Sequence, residues 1–257
     1  MSIPGATMAG DNELPGLRSE YFINSETGET DVHYLWHGVQ APKVKLSGRL
    51  AQQISGLSLI EKDLKNARRW MQKIFDLTAE ERAKNTDGGY VYSRNRELFD
   101  DVKAFFVASL TFYDKAFTEA EGRNAQMSKD WLAVEFRDIH EFYMEYRHNF
   151  AAHSGDLKLE GATSFLVLLP GKRQVDVRLT TARFQPDFAG SNSVEIEFLG
   201  LLDHAIEVVQ DRYLNMSKRL VDACLRRPLA FWFAASQSQD AVNMDAAIKA
   251  SNPRRKR

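Results

Sequence analysis

Four stretches of this chain repeat apolar residues at alternating steps of three and four. In the first, Leu50, Ile54, Leu57, Ile60, Leu64, Ala67, Met71 and Ile74 keep that rhythm. Such steps return to one side of an α-helix, so the stretch predicts an amphipathic helix with one core-facing stripe, opening at Ser47. A second helix, from about Ser93, carries Phe99, Val102, Phe106, Leu110, Tyr113 and Phe117 inward. The Gly88-Gly89 pair marks the loop before it, and Gly122 with its polar neighbours ends it. A third begins near Ser128, a residue suited to capping, with Leu132, Phe136, Ile139, Tyr143, Tyr146 and Phe150 as its stripe. Asn192 and Glu195 resemble a capping box before the last long helix. That helix runs through Leu199, Leu202, Ile206, Val209, Tyr213, Met216, Leu220 and Ala223 until Pro228 ends or kinks it.

Between the third and fourth helices the period changes to two. Val175, Val177 and Leu179 alternate with Gln174, Asp176 and Arg178, after the apolar run that begins at Ser164 and the turn residues Pro170, Gly171 and Lys172. Residues 164–182 therefore predict a β-hairpin. Residues 1–17 predict no fixed structure. The stretch "YFINSETGETDVHYLWHG" reads as a short hairpin or an irregular arm. Helices with a single apolar stripe bury it only against one another. The expected fold class is mainly α, an antiparallel bundle of four to five helices with an inserted β-hairpin. One domain is expected, with an N-terminal arm at 1–46, a bundle at 47–235 and a polar, basic tail at 236–257. The aromatic segment 230–235 is expected to fold back on the bundle, and the tail to be loosely held.

Charge and composition remove several classes. The formal net charge is −1, so no global basic field advertises nucleic acid, although Arg254, Arg255, Lys256 and Arg257 gather positive charge at the end. The single cysteine, Cys224, falls within a helical apolar pattern and excludes an intrachain disulfide. No leader-like segment and no apolar run of membrane-spanning length stands out, so a cytoplasmic protein without membrane contact is expected. There is no Gly-rich phosphate loop, no HExxH, no cysteine pair and no Gly-x-Ser-x-Gly, so neither a metal nor a cofactor is expected. Mid-helix His140 reads as structural, and His204, beside Asp203, as a surface or satisfied histidine rather than a ligand.

One stretch does carry candidate chemistry. "YRHNFAAHSG", residues 146–155, ends the third helix and places Arg147, His148, Asn149 and His153 within seven positions. On an ideal helix Arg147 and His153 stand about 120° apart around the axis, so they converge only if the helix end unwinds or a second copy faces the first. Glu145 precedes His148 by three residues and could hold a histidinium. With these residues the stretch resembles the HEPN superfamily, whose helical bundles carry an Arg-x(4–6)-His motif near the end of a central helix. The match is Arg-His-Asn-Phe-Ala-Ala-His, followed by Ser154. The resemblance covers the motif and the helix order around it.

That resemblance implies a metal-independent endoribonuclease, of the kind found among toxins and antiphage defence effectors. It implies Arg147, His153 and His148 as catalytic residues, with Asn149 and Ser154 at the substrate. Arg147 would grip phosphate, His153 would move protons and His148 would support or orient. The expected partners are a second copy of the chain, RNA or a nucleotide, and an antitoxin or other protein. The residues also allow two further readings. One is a non-catalytic bundle that binds a nucleotide or protein partner through the 164–169 run and the 230–235 segment. The other is a metal site made of Glu145, His148 and His153.

Overall fold

The computed structural model describes residues 15–23, 28, 30–84, 96–148, 161–170, 175–184, 193–238 and 240–251. In chain order these form β1 (Leu17–Ile23), β2 (Thr30–Trp36), β3 (Val39–Ala41), β4 (Leu46–Ser47), α1 (Arg49–Lys84) and α2 (Arg96–Phe117). A single 3-10 turn at Lys129–Trp131 leads into α3 (Val134–Tyr146), followed by β5 (Gly161–Pro170) and β6 (Val175–Phe184). The chain continues with α4 (Ser193–Cys224), α5 (Leu229–Ala235), β7 (Val242–Asn243) and α6 (Asp245–Ser251). The fold is mainly helical with small sheets. The predicted Gly88-Gly89 loop, Phe150 and the capping residue Asn192 lie outside the described residues.

The chain divides into two compact units. Residues 52–217 form the larger, and its core is built from the stripes that periodicity predicts. Ile60, Leu64, Met71 and Ile74 of α1, Leu110 and Tyr113 of α2, Leu132 and Tyr143, and Phe198, Leu201 and Leu202 of α4 are all fully buried. The α4 stripe is broader than expected, since Phe198, Leu201 and Ala205 join the residues on the predicted line. Gly56 on α1 lets the segment before the 3-10 turn pack closely, because a Cβ there would stand 2.7 Å from the Ala125 side chain.

Two polar ties hold these helices in place. Asp63 on α1 is 1 % exposed, and its Oδ2 takes the Arg123 guanidinium and, at 3.2 Å, the Lys115 ammonium. Arg123 also donates from Nη1 to the Lys115 carbonyl at 2.6 Å. On the other side Arg68 of α1 donates from Nε to Asp203 Oδ1 of α4 at 2.6 Å, with both side chains over 40 % exposed.

Ser128 caps, but it caps the 3-10 turn: its Oγ accepts from the Asp130 amide at 3.3 Å. Leu132 then turns extended, with φ −76° and ψ 142°, and is buried, so α3 begins only at Val134. Its entry is held from α4. The Ala133 amide donates to His204 Nε2 at 3.0 Å, and the His204 ring stacks on Phe136. His204 is thus a satisfied histidine, one of the two forms expected of it.

The second unit, residues 1–51 with 218–257, contains a three-stranded antiparallel sheet in the order β1-β2-β3. The N-terminal hairpin is therefore present, with Leu17 opposite Trp36 and Ile23 opposite Thr30. The first helix opens at Arg49 and not at Ser47, for a reason far away in sequence. Ser47 pairs with Asn243 in the short parallel β4–β7 ladder, and the Arg49 amide donates to Asp245 Oδ1 at 2.9 Å. Gly48 permits this at φ +104°, where a Cβ would stand 2.6 Å from that same oxygen. Residues predicted to form a loose tail supply β7 and α6 here. Within α5, Trp232 donates to the Cys224 carbonyl at 3.0 Å, which holds α5 to the end of α4. Cys224 is part-buried, and burial pushes its thiol above the ordinary range.

The two ties differ in burial, and burial sets their contribution. Asp63→Ala leaves Arg123, whose side chain is 10 % exposed, without its carboxylate and is expected to cost about 3 kcal/mol. Asp203→Ala removes a half-exposed pair and is expected to cost no more than about 1 kcal/mol. Denaturant unfolding of the two variants measures the difference.

Candidate active site

The end of α3 faces α2 through residues seven apart. Seven residues on a helix come within about 20° of two full turns, so His140 and Arg147 lie on one stripe. Both meet α2. The Tyr113 hydroxyl and His140 Nδ1 are 2.8 Å apart, and the Phe117 ring lies 4.3 Å from the imidazole. Two turns further along α3, Arg147 Nη2 stands 3.5 Å from Asp114 Oδ2. Asp114 is buried, and Thr118 donates to its carbonyl at 3.1 Å and to Oδ2 at 3.3 Å.

The electrostatics follow from this packing. His140 is buried, which holds its pKa below the ordinary value; the nearby Lys129 ammonium lowers it further, while Glu141 and Asp114 oppose the shift. The neutral ring is thus favoured beside Tyr113, whose phenol burial pushes far above its ordinary range. Arg147 keeps a third of its side chain in solvent, at 32 %. Its contact with Asp114 engages one nitrogen of a five-donor fork, so other donors remain to be directed elsewhere.

At Arg147 and His148 the backbone widens into a π turn. The Arg147 amide still reaches the Met144 and Tyr143 carbonyls. Such turns change the angular step between residues, so the ideal-helix angle between Arg147 and its successors no longer applies. Arg147 turns toward α2, while His148 is exposed. The structure thus places two of the candidate residues. His153, Asn149 and Ser154 lie outside the described residues, and with them the question of their convergence. Among the described residues no cluster of His, Cys, Asp and Glu is arranged to hold a metal.

Sequence reasoning missed Asp114, the carboxylate that holds Arg147. Its signal is slight: an acid directly after the stripe residue Tyr113, on the margin of a buried face. It also passed over the Tyr113–His140 bond, reading His140 only as part of the structural interior. Comparison with protein-family models, curated proteins and solved structures found no match.

A pH dependence of stability follows from His140. Its pKa is lowered in the folded chain, so above about pH 6.5 the ring is neutral in folded and unfolded states alike. As pH falls through 6.5 only the unfolded chain takes up the proton, and stability drops toward the lower folded value. Denaturant midpoints measured between pH 7.5 and 5 are expected to fall, and His140→Gln to flatten part of that slope.

Proposed function

We propose that this chain is a HEPN-like antiparallel bundle of four to five helices that cuts RNA without a metal. The observation that carries the reading is Arg147. It stands in the last turn of a central helix, tethered by a buried carboxylate, with donors left in solvent. A guanidinium oriented by its neighbours is suited to a phosphate, whose oxygens accept its forked donors.

The chemistry assigned to the motif is transfer to the 2′-hydroxyl. A neutral histidine takes the proton of the 2′-hydroxyl, and O2′ attacks phosphorus. The P–O5′ bond breaks, the departing O5′ receives a proton, and a 2′,3′-cyclic phosphate remains. Arg147 stabilises the charge that grows on the non-bridging oxygens. His153 acts in proton transfer and His148 orients, with Asn149 and Ser154 toward the substrate. Two copies that face one another through their motifs would bring each histidine beside the other copy's arginine. In this reading RNA is cut in the presence of EDTA and leaves cyclic phosphate ends. The double variant Arg147→Ala, His153→Ala is expected to lose cleavage, and undiminished cleavage by that variant overturns the assignment.

A different observation favours a second reading, a non-catalytic bundle that docks another protein. In the antiparallel β5–β6 register Leu166 stands opposite Leu179, and Leu168 opposite Val177. These four residues share one face of the hairpin, and their exposures of 62 %, 76 %, 61 % and 54 % leave it open to water. A contiguous aliphatic face of this kind marks a contact surface. In that case Leu166→Lys with Leu179→Glu abolishes capture of a partner such as an antitoxin. Folding stability is expected to change by less than about 0.5 kcal/mol, measured by thermal melting in parallel with the pull-down.

A further inference from the structure

We propose that the cleft between the Trp131–Arg212 stack and residues 119–126 takes a single unpaired nucleobase. The proposal rests on the RNA reading above and names a binding subsite that the motif does not include. The cleft is about 580 Å³ and lies wholly within the larger unit. That volume falls within the range of small-molecule sites and exceeds what one base needs. Leu57 of α1 and Met216 of α4 supply an apolar floor, and Glu119 and Glu121 stand on its rim.

The wall is a ready stacking platform. The Arg212 guanidinium carbon lies 3.6 Å from the centroid of the Trp131 ring. At that distance the guanidinium sits in contact with the face of the indole, where a cation is attracted by the ring. One face of the guanidinium is covered by indole, and Arg212 as a whole is exposed. Unstacked bases are held on such planes, and each stacked base adds binding with little demand on sequence.

The opposite wall is fixed before any ligand arrives. Arg123 is held by buried Asp63 and by the Lys115 carbonyl, Gln126 donates to the Phe117 carbonyl, and Met127 donates to the Ala116 carbonyl at 2.8 Å. A slot whose walls are already ordered loses less entropy on binding. Charge then selects the part of a nucleotide that fits. Among the residues that line the cleft, Glu119 and Glu121 balance Arg123 and Arg212, so the lining carries no net positive charge to grip phosphate. The carboxylates instead accept hydrogen bonds from exocyclic amines, which suits adenine, cytosine or guanine better than uracil.

Calorimetric titration of the whole chain with adenosine, uridine, inorganic phosphate and an eight-nucleotide oligoadenylate tests this. An Arg147→Ala, His153→Ala background keeps the oligonucleotide intact. Adenosine and the octamer are expected to bind, uridine more weakly, and phosphate not to compete. Arg212→Ala, an exposed position, is expected to weaken the octamer about tenfold. Glu121→Gln is expected to narrow the preference for adenosine over uridine. Unchanged binding by the Arg212 variant, or displacement of adenosine by phosphate, overturns the slot. If the unmutated chain cuts RNA while the Arg212 variant binds as before, the slot alone fails. If adenosine binds through Arg212 but no RNA is ever cut, the ribonuclease reading fails and the slot stands as a nucleoside site. Binding of adenosine but not of the octamer likewise assigns the slot to free nucleosides and overturns its role toward RNA.

Discussion

Asp63 is a charged side chain almost wholly removed from water, within α1 beside the core residues Ile60 and Leu64. A carboxylate so placed is tolerated only if cations meet it, and Arg123, Lys115 and Lys62 do, the last at 3.6 Å from Oδ1. Because Lys115 comes from α2 and Arg123 from the segment after it, the same requirement pins that segment onto α1. Gly56 then allows the backbone near Ala125 to come close. From that anchored segment follow the 3-10 turn, the burial of Leu132 and the start of α3. The position of Arg147 at the far end of α3 therefore depends on a salt bridge made by none of the candidate catalytic residues.

The same logic runs along the α2–α3 contact. Tyr113 and Asp114 are adjacent on α2 and meet residues seven apart on α3, one pairing neutral with neutral and the other charge with charge. Tyr113–His140 is a buried neutral bond in a setting of aromatic rings, including Phe117 and Phe198. Asp114–Arg147 sits nearer solvent and keeps part of the guanidinium available. A rigid apolar seam thus ends in a partly exposed charge, an arrangement that can present a group without letting it wander.

Much of the architecture was legible in the chain. The stripes of the four long helices and the period-two segment at 164–182 follow from spacing, and the mid-helix setting of His140 and His204 argued against ligands there. What the spacing did not reveal was where elements start and which charges meet. α1 starts at Arg49 because Asp245, 196 residues away, accepts its amide. Ser128 looked like the cap of α3, and its side chain does cap, but it caps a 3-10 turn, and Leu132 is buried in extended form before α3 begins. The residues expected to form a loose tail pair with β4 through two strand positions. As for the candidate site, the motif marked Arg147 and His148, while its tether Asp114 left almost no trace.

The division has a physical cause. An amphipathic helix is specified by residues three and four apart, so its existence and buried face are written locally and can be read one window at a time. An ion pair or a cap depends on the few ångströms between groups that the chain brings together from far apart, and its strength on how much water remains there. The sequence by itself therefore determined which helices form, which faces they bury and which short motif invites a functional reading. Only the tertiary structure decided that Asp63 is buried among cations, that Asp245 opens α1, and that Arg147 is held by Asp114 at the end of α3.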